Sequence, residues 1–115
     1  MLPPVTKKFH DKSTDRFFQF SFYCDECGLG WISECYQFSM RDAPCESEGE
    51  KKARDIIWKS DHDAAYERAN NEAILNFNKC PKCGQRVCDN CFSEFEPICL
   101  TCLDSETVNV NNKSI

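Results

Sequence analysis

A chain of 115 residues holds one domain and little more, and 29% charged residues give it the composition of a water-exposed protein. No stretch reaches the ~20 apolar residues of a membrane-spanning helix. The start, Met1-Leu2-Pro3-Pro4-Val5-Thr6-Lys7-Lys8, lacks the charged-then-apolar order of a secretory signal, so a cytoplasmic location with reduced thiols is expected. A formal net charge of −5 offers no electrostatic footprint for nucleic acid or an anionic membrane.

Residues 1–15 are polar and expected to form a flexible segment, apart from what Phe9 or His10 covers. From Phe17 to Tyr23 the chain alternates at period two, with Phe18, Phe20 and Phe22 on one face and Gln19 and Ser21 on the other, the pattern of a strand. The aromatic face reads as core, which so small a domain needs. The strand runs into Cys24-Asp25-Glu26-Cys27-Gly28, and Trp31 to Phe38 reads as its partner. A hairpin over 17–38 with the cysteines at its tip is the expectation.

Residues 40–52, with Pro44 and Gly49, read as a loop. A helical insert over 50–77 is expected in two parts. Lys51 to Lys59 is a short amphipathic piece around Ile56, Ile57 and Trp58. Ser60 then offers an N-cap with Asp63 at the third position. Ala65, Tyr66, Ala69, Ala73, Ile74 and Phe77 follow at helical spacing. The alanine stripe lets this helix lie close to the strands. Residues 80–102 have too little apolar surface to fold without a metal, and 103–115 read as a flexible Asn/Ser/Thr-rich tail. The domain proper is thus 16–102.

Ten cysteines in a chain of this length is far above ordinary usage. A disulfide framework usually spaces its cysteines irregularly and comes with a secretory signal. Here eight fall into Cys-x-x-Cys pairs: Cys24/Cys27, Cys80/Cys83, Cys88/Cys91 and Cys99/Cys102. Two intervening residues make a tight turn that aims both sulfurs, and nearby backbone N–H groups, at one point, the knuckle that a tetrahedral metal needs. The expected cofactor is therefore two structural Zn²⁺ ions on these eight ligands. Each Zn(Cys)₄ unit carries −2, which takes the formal −5 to about −9 and strengthens the case against nucleic acid. The fold class that follows is a small α+β zinc-binding domain, with zinc-ribbon-like hairpins or a treble clef, one main helix and two Cys₄ sites.

Two pairings of the knuckles are open. Sequential pairing joins Cys24/Cys27 to Cys80/Cys83 and Cys88/Cys91 to Cys99/Cys102. Cross-braced pairing joins Cys24/Cys27 to Cys88/Cys91 and Cys80/Cys83 to Cys99/Cys102. The seven-residue gap before Cys99 closes a local loop at little entropic cost and favours the sequential one.

Cys24-Asp-Glu-Cys27-Gly28 and Cys80-Pro-Lys-Cys83-Gly84 together resemble the paired knuckles of zinc ribbons and rubredoxins. Cys83-Gly84-Gln-Arg-Val-Cys88-Asp-Asn-Cys91 resembles the middle of in-between-RING domains, whose pairing is sequential. The wider run from Cys80 to Cys91 has the spacing of cross-braced FYVE fingers. Asn76-Phe77-Asn78-Lys79 stands where those carry their basic cluster, so phosphoinositide binding is not implied. The order of elements over 17–102 is similar to a bacterial family of small zinc-ribbon proteins of uncharacterised function. The similarity rests on the Tyr-Cys-x-x-Cys-Gly hairpin, the helix from His62 to Ala73, Phe77 to Cys83, and Val87-Cys88-Asp89-Asn90-Cys91-Phe92. It implies fold and metal, not an activity.

Cys35 reads as a small buried residue in mid-strand, and Cys45 as an exposed thiol in a polar loop. His62, between Asp61 and Asp63, reads as a polar capping group rather than a ligand. Glu67, Arg68 and Glu72 read as a solvated charged face.

No nucleophile–base set appears, and closed Cys₄ sites leave no coordination position for catalysis. The expected function is a structural, non-enzymatic module that binds another protein. The alternatives are a zinc–thiol redox switch, a rubredoxin-type iron site at Cys24/Cys27/Cys80/Cys83, and a nucleic-acid-binding ribbon. Oligomeric state is open.

Overall fold

The computed structural model of the chain describes residues 2–105. The elements in order are strands β1 (Lys8–Asp11), β2 (Phe17–Phe18), β3 (Phe20–Tyr23), β4 (Gly30–Ile32) and β5 (Tyr36–Gln37), helix α1 (Glu48–Ile74), and strands β6 (Asn78–Lys79) and β7 (Arg86–Val87). A single 3₁₀ turn follows at Asp89–Cys91, and the chain is helical again over 100–105. All strand pairs are antiparallel: β1-β3-β4 form one sheet, β2-β5 a ribbon and β6-β7 a second hairpin.

The phenylalanine alternation builds the core as expected. Phe18, Phe20 and Phe22 are at most 1% exposed and face α1. They meet two adjacent stripes of the helix. Ala65, Ala69 and Ala73 are buried, and with only a methyl each they let the helix axis come close to the sheet. His62, Tyr66 and Asn70, at i, i+4 and i+8, share the neighbouring stripe and receive the N-terminal segment. The Tyr66 ring packs edge-on to Phe9 and Phe20, each centroid 5.5 Å away. The Asn70 amide accepts from the Val5 N–H at 2.8 Å and donates to the Pro3 carbonyl at 3.2 Å.

Residues 1–15, expected to be flexible, thus contain an ordered strap. Thr6 is buried, Lys8–Asp11 pair along β3 in the register Phe9↔Phe22, and Asp11 meets His62. Polar composition hid this because β1 is an edge strand with exposed side chains at Lys8 and His10, and only Phe9 turns inward.

The long second strand is also interrupted. Trp31 to Phe38 divides into β4 and β5 around Ser33–Cys35, and Gln19 divides β2 from β3. At this crossing the Ser33 N–H donates to the Phe20 carbonyl at 2.8 Å, and the Ser33 hydroxyl accepts from the Phe20 N–H at 3.0 Å. The serine completes the ladder where the strands change partners. Cys35 is consequently exposed in a connector, not buried in a strand, while Cys45 is half-buried.

Helix α1 is one continuous element of 27 residues. Ser47, not Ser60, is the N-cap: its hydroxyl accepts from the Glu50 N–H at 3.1 Å, and the Glu50 carboxylate accepts from the Glu46 N–H at 2.9 Å. Ser60 lies exposed in mid-helix. Nothing between 50 and 74 breaks a helix, and propagation costs far less than a second nucleation. The charged face expected at 67–72 is partly engaged. Arg68 lies over the Tyr36 ring at 5.1 Å, and the Tyr36 hydroxyl donates to Glu72 at 3.2 Å. Of the expected tail, 103–105 are helical and 106–115 fall outside the described residues.

The Tyr66 hydroxyl is buried with no hydrogen-bond partner among the described residues. A buried unpaired hydroxyl costs about 1–3 kcal/mol. Tyr66→Phe is therefore expected to hold or raise the urea midpoint of the metal-saturated protein. Tyr66→Ala should lower stability by about 3–5 kcal/mol through the cavity it leaves.

Candidate metal centres

The two knuckles at hairpin tips are one turn built twice. In the first, the Cys24 N–H donates to the Leu29 carbonyl at 2.9 Å and the Gly28 N–H to the Cys24 carbonyl at 3.0 Å. In the second, the Cys80 N–H donates to Gln85 at 2.9 Å and the Gly84 N–H to Cys80 at 2.8 Å. Gly28 and Gly84 sit at φ +78° and +75°, where any side chain would be strained, which explains a glycine directly after these two Cys-x-x-Cys pairs. Each turn curls backbone N–H groups toward its first sulfur; Glu26 and Cys27 donate to Cys24 Sγ at 3.4 and 3.5 Å.

All eight cysteines singled out from sequence come together, four in each of two sets: Cys24, Cys27, Cys88 and Cys91, and Cys80, Cys83, Cys99 and Cys102. The pairing is cross-braced, not sequential. Loop-closure entropy, which favours the sequential choice, changes by only about 0.6 kcal/mol per doubling of loop length. Strand direction outweighs it. After the second knuckle, β7 carries the chain away from Cys80/Cys83 and along the first knuckle, so Cys88 arrives beside Cys24 and its N–H donates to Cys24 Sγ at 3.3 Å. The chain then turns back: Phe92 bridges to Cys99, and the Ser93 N–H donates to the Ile98 carbonyl at 2.9 Å. This return delivers Cys99 and the following helical turn with Cys102 to the second knuckle. A rubredoxin-type site would need Cys24/Cys27 beside Cys80/Cys83, and those four are not brought together.

The sulfur atoms in each set lie within 4.8 Å of one another. The separations Cys27–Cys88, Cys83–Cys99 and Cys80–Cys102 are 3.6, 3.7 and 3.8 Å. A tetrahedron with Zn–S bonds of about 2.3 Å has edges of about 3.8 Å, so the cages have the size a zinc ion requires. In each set the first cysteine of each pair is buried and the second is exposed or half-exposed.

The acidity of the thiols fits a cation-binding role. Burial opposes ionisation of Cys24, but N–H donors from Cys27, Cys88 and Glu26 outweigh it and bring the thiol down to about 7. The same competition, with donors from Cys99, Cys83 and Lys82, brings Cys80 to about 6. Their neighbours move the other way. Burial and hydrogen bonding to Cys27 and Cys88 hold Cys91 far above the usual thiol range. Contact with Cys99, then burial, pushes Cys102 up to about 12. Four acids facing one point cannot all ionise unless a cation shares it, and soft thiolates with tetrahedral spacing suit Zn²⁺.

His62 belongs to neither set and is not a surface cap. It is buried, its ring stacked 4.9 Å from Trp58 with edge contacts to Phe18 and Phe20. Its Nε2 is 2.6 Å from Asp11 Oδ2, which ties the helix to β1. Partial burial opposes ionisation of Asp11, but hydrogen bonds with Ser13 and His62 hold its carboxyl below the usual range.

One residue of the centre was not singled out from sequence. Asp25, the first spacer of the first knuckle, accepts from the Lys7 N–H at 2.9 Å through Oδ1 and from the Arg86 N–H at 2.8 Å through Oδ2. Its own N–H donates to the Arg86 carbonyl at 3.0 Å. It joins the N-terminal strap, the first knuckle and the strand that delivers Cys88. A carboxylate at that spacer position is the only signal sequence offers for it.

No family model, curated protein or solved structure matches the chain. What is shown is two four-cysteine groups placed to bind metal in a small α+β fold with antiparallel sheets and one main helix.

Asp25→Ala strips two backbone donors of their acceptor beside one set only. Outer-shell losses of this kind typically cost 10–100-fold in metal affinity. Chelator competition should therefore release one ion that much more readily, with the ion at Cys80/Cys83/Cys99/Cys102 unchanged. Equal affinity of both ions in the variant would contradict this role for Asp25.

Proposed function

We propose that the protein is a zinc-ribbon-like structural module that holds two Zn²⁺ ions and offers the surface they fix to another protein, with no catalysis of its own. The observation that carries this reading is the closed donor set: each group supplies four sulfurs at tetrahedral spacing, and a zinc ion so bound has no open position for water or substrate. The charge supports a protein partner over nucleic acid, since the fully loaded chain is more acidic than its formal −5. A reducing, cytoplasmic setting suits eight ligand thiols. Among the described residues no helix is long and apolar enough to cross a membrane.

A second reading, zinc release on oxidation, has one observation in its favour: each set exposes a sulfur, Cys27 in one and Cys83 in the other. Zinc release under mild peroxide, followed with a chromogenic chelator, distinguishes the readings. Retention of both ions removes the switch.

Native mass spectrometry of the purified chain should give two zinc ions per protein. Removing them with a strong chelator should abolish the near-ultraviolet circular dichroism, because Cys24, Cys80, Cys88 and Cys99 are buried members of the same cluster as the aromatic core. A spectrum indifferent to chelation would overturn the structural role.

A further inference from the structure

The return loop between the two metal sets has a construction that metal binding alone does not require. Its ends are Cys91 of one set and Cys99 of the other, so two separate ions would anchor it. Within it, the Ser93 hydroxyl accepts from the N–H groups of Phe95 and Glu96 at 3.1 and 3.2 Å. The Ile98 N–H donates to the Glu96 carbonyl at 2.7 Å, and Ile98 is buried beneath. This rigid tip holds Phe95 out at 91% exposure, flanked by exposed Glu94 and Glu96. A single large ring kept in water on a hydrogen-bonded loop costs little backbone ordering entropy when it is covered, a property of interface anchors.

The complementary surface is on the same chain. A concavity of about 630 Å³ is lined by Lys7, Lys8, Phe9, His10, Tyr23 and Gly28. Tyr23, paired with Lys8 on the outer face of the sheet, offers the apolar contact, and Lys7 and Lys8 supply the positive charge, while the Phe9 ring turns inward onto Phe22 and Tyr66. Gly28 leaves it open, since a Cβ there would meet no atom within 4 Å. In a chain with 19 acidic against 14 basic residues, the residues lining it include two lysines and no carboxylate. Among the described residues, Lys7, Lys8, Glu94 and Glu96 take part in no ion pair, so all four charges are available.

We infer that the Phe95 tip of one copy docks into the Lys7/Lys8/Tyr23 concavity of a second copy, the ring against Tyr23 and Glu94 and Glu96 against the lysines. The inference rests on the reading of the protein as a zinc-fixed binding module and names a second copy of this chain as the partner. So small a contact, well under about 1,000 Å² of buried surface, belongs to the weak, concentration-dependent class. Its charge pairs lie at the rim and are screened by salt.

Sedimentation equilibrium on the zinc-loaded full chain, from micromolar to millimolar and at low salt, is the test. The expected result is a mean mass that climbs above the monomer with concentration and falls back on adding salt. Phe95→Ala, at an exposed position that no folding contact uses, should weaken association at least about tenfold. Glu94→Lys/Glu96→Lys and Lys7→Glu/Lys8→Glu should each weaken it, and the four together should restore it; Lys7→Gln/Lys8→Gln replaces the reversal if that pair fails to fold. A chain that stays monomeric while holding two zinc ions overturns the docking and leaves the zinc module standing. So does association that survives Phe95→Ala or is not restored by the double reversal. Absence of zinc from the unaltered chain would instead strike the module itself.

Discussion

The interleaving of the two cysteine sets is the constraint on which the rest of the fold depends. Because Cys24/Cys27 share a point with Cys88/Cys91, the hairpin before helix α1 and the hairpin after it are held edge to edge. The helix between them then has both ends tied, and its alanine stripe has only the phenylalanine face to lie against. Sequential pairing would close each site on a more local stretch. Cross-bracing makes each ion close a loop that contains part of the other site. Neither hairpin has the apolar surface to hold this arrangement alone; β6 and β7 are two residues each.

Around this metal frame the protein uses polar groups as tethers. The N-terminal strap meets Asn70, Tyr66 and His62 along one helical stripe, and Asp25 beside the first metal set. The strap therefore couples the helix to the knuckle, with the Asn70 and Asp25 side chains accepting from its backbone N–H groups and Asp11 meeting His62. It also brings Lys7, Lys8 and His10 next to Tyr23 and makes a lysine-lined concavity in an acidic chain. The loop from Cys91 to Cys99 is held at both ends, one in each cysteine set. Rigidity and charge at these two places are by-products of how the metal sites are assembled.

Local residue pattern made much of this legible. Period-two phenylalanines and helix-spaced alanines report constraints acting within a few residues, and both appear where read. The strap, the break at Ser33, the exposure of Cys35 and the burial of His62 were not legible. Each depends on a partner distant in the chain: Phe22 for Phe9, Phe20 for Ser33, Asp11 for His62. Helix α1 was read as two pieces because Ser60 and Asp63 have the capping pattern, but an internal serine can only cap where the helix has another reason to stop.

By itself the sequence determined which eight cysteines gather and the aromatic core, because a Cys-x-x-Cys turn and an alternating strand are decided by neighbours. Only the tertiary structure decided which knuckles come together. Loop closure distinguishes the two pairings by about a kilocalorie per mole or less, too little to decide between them. The direction in which β7 leaves the second knuckle, and the Asp25 carboxylate that receives it, are properties of two hairpins already docked. That docking, rather than spacing, sends Cys88 to Cys24.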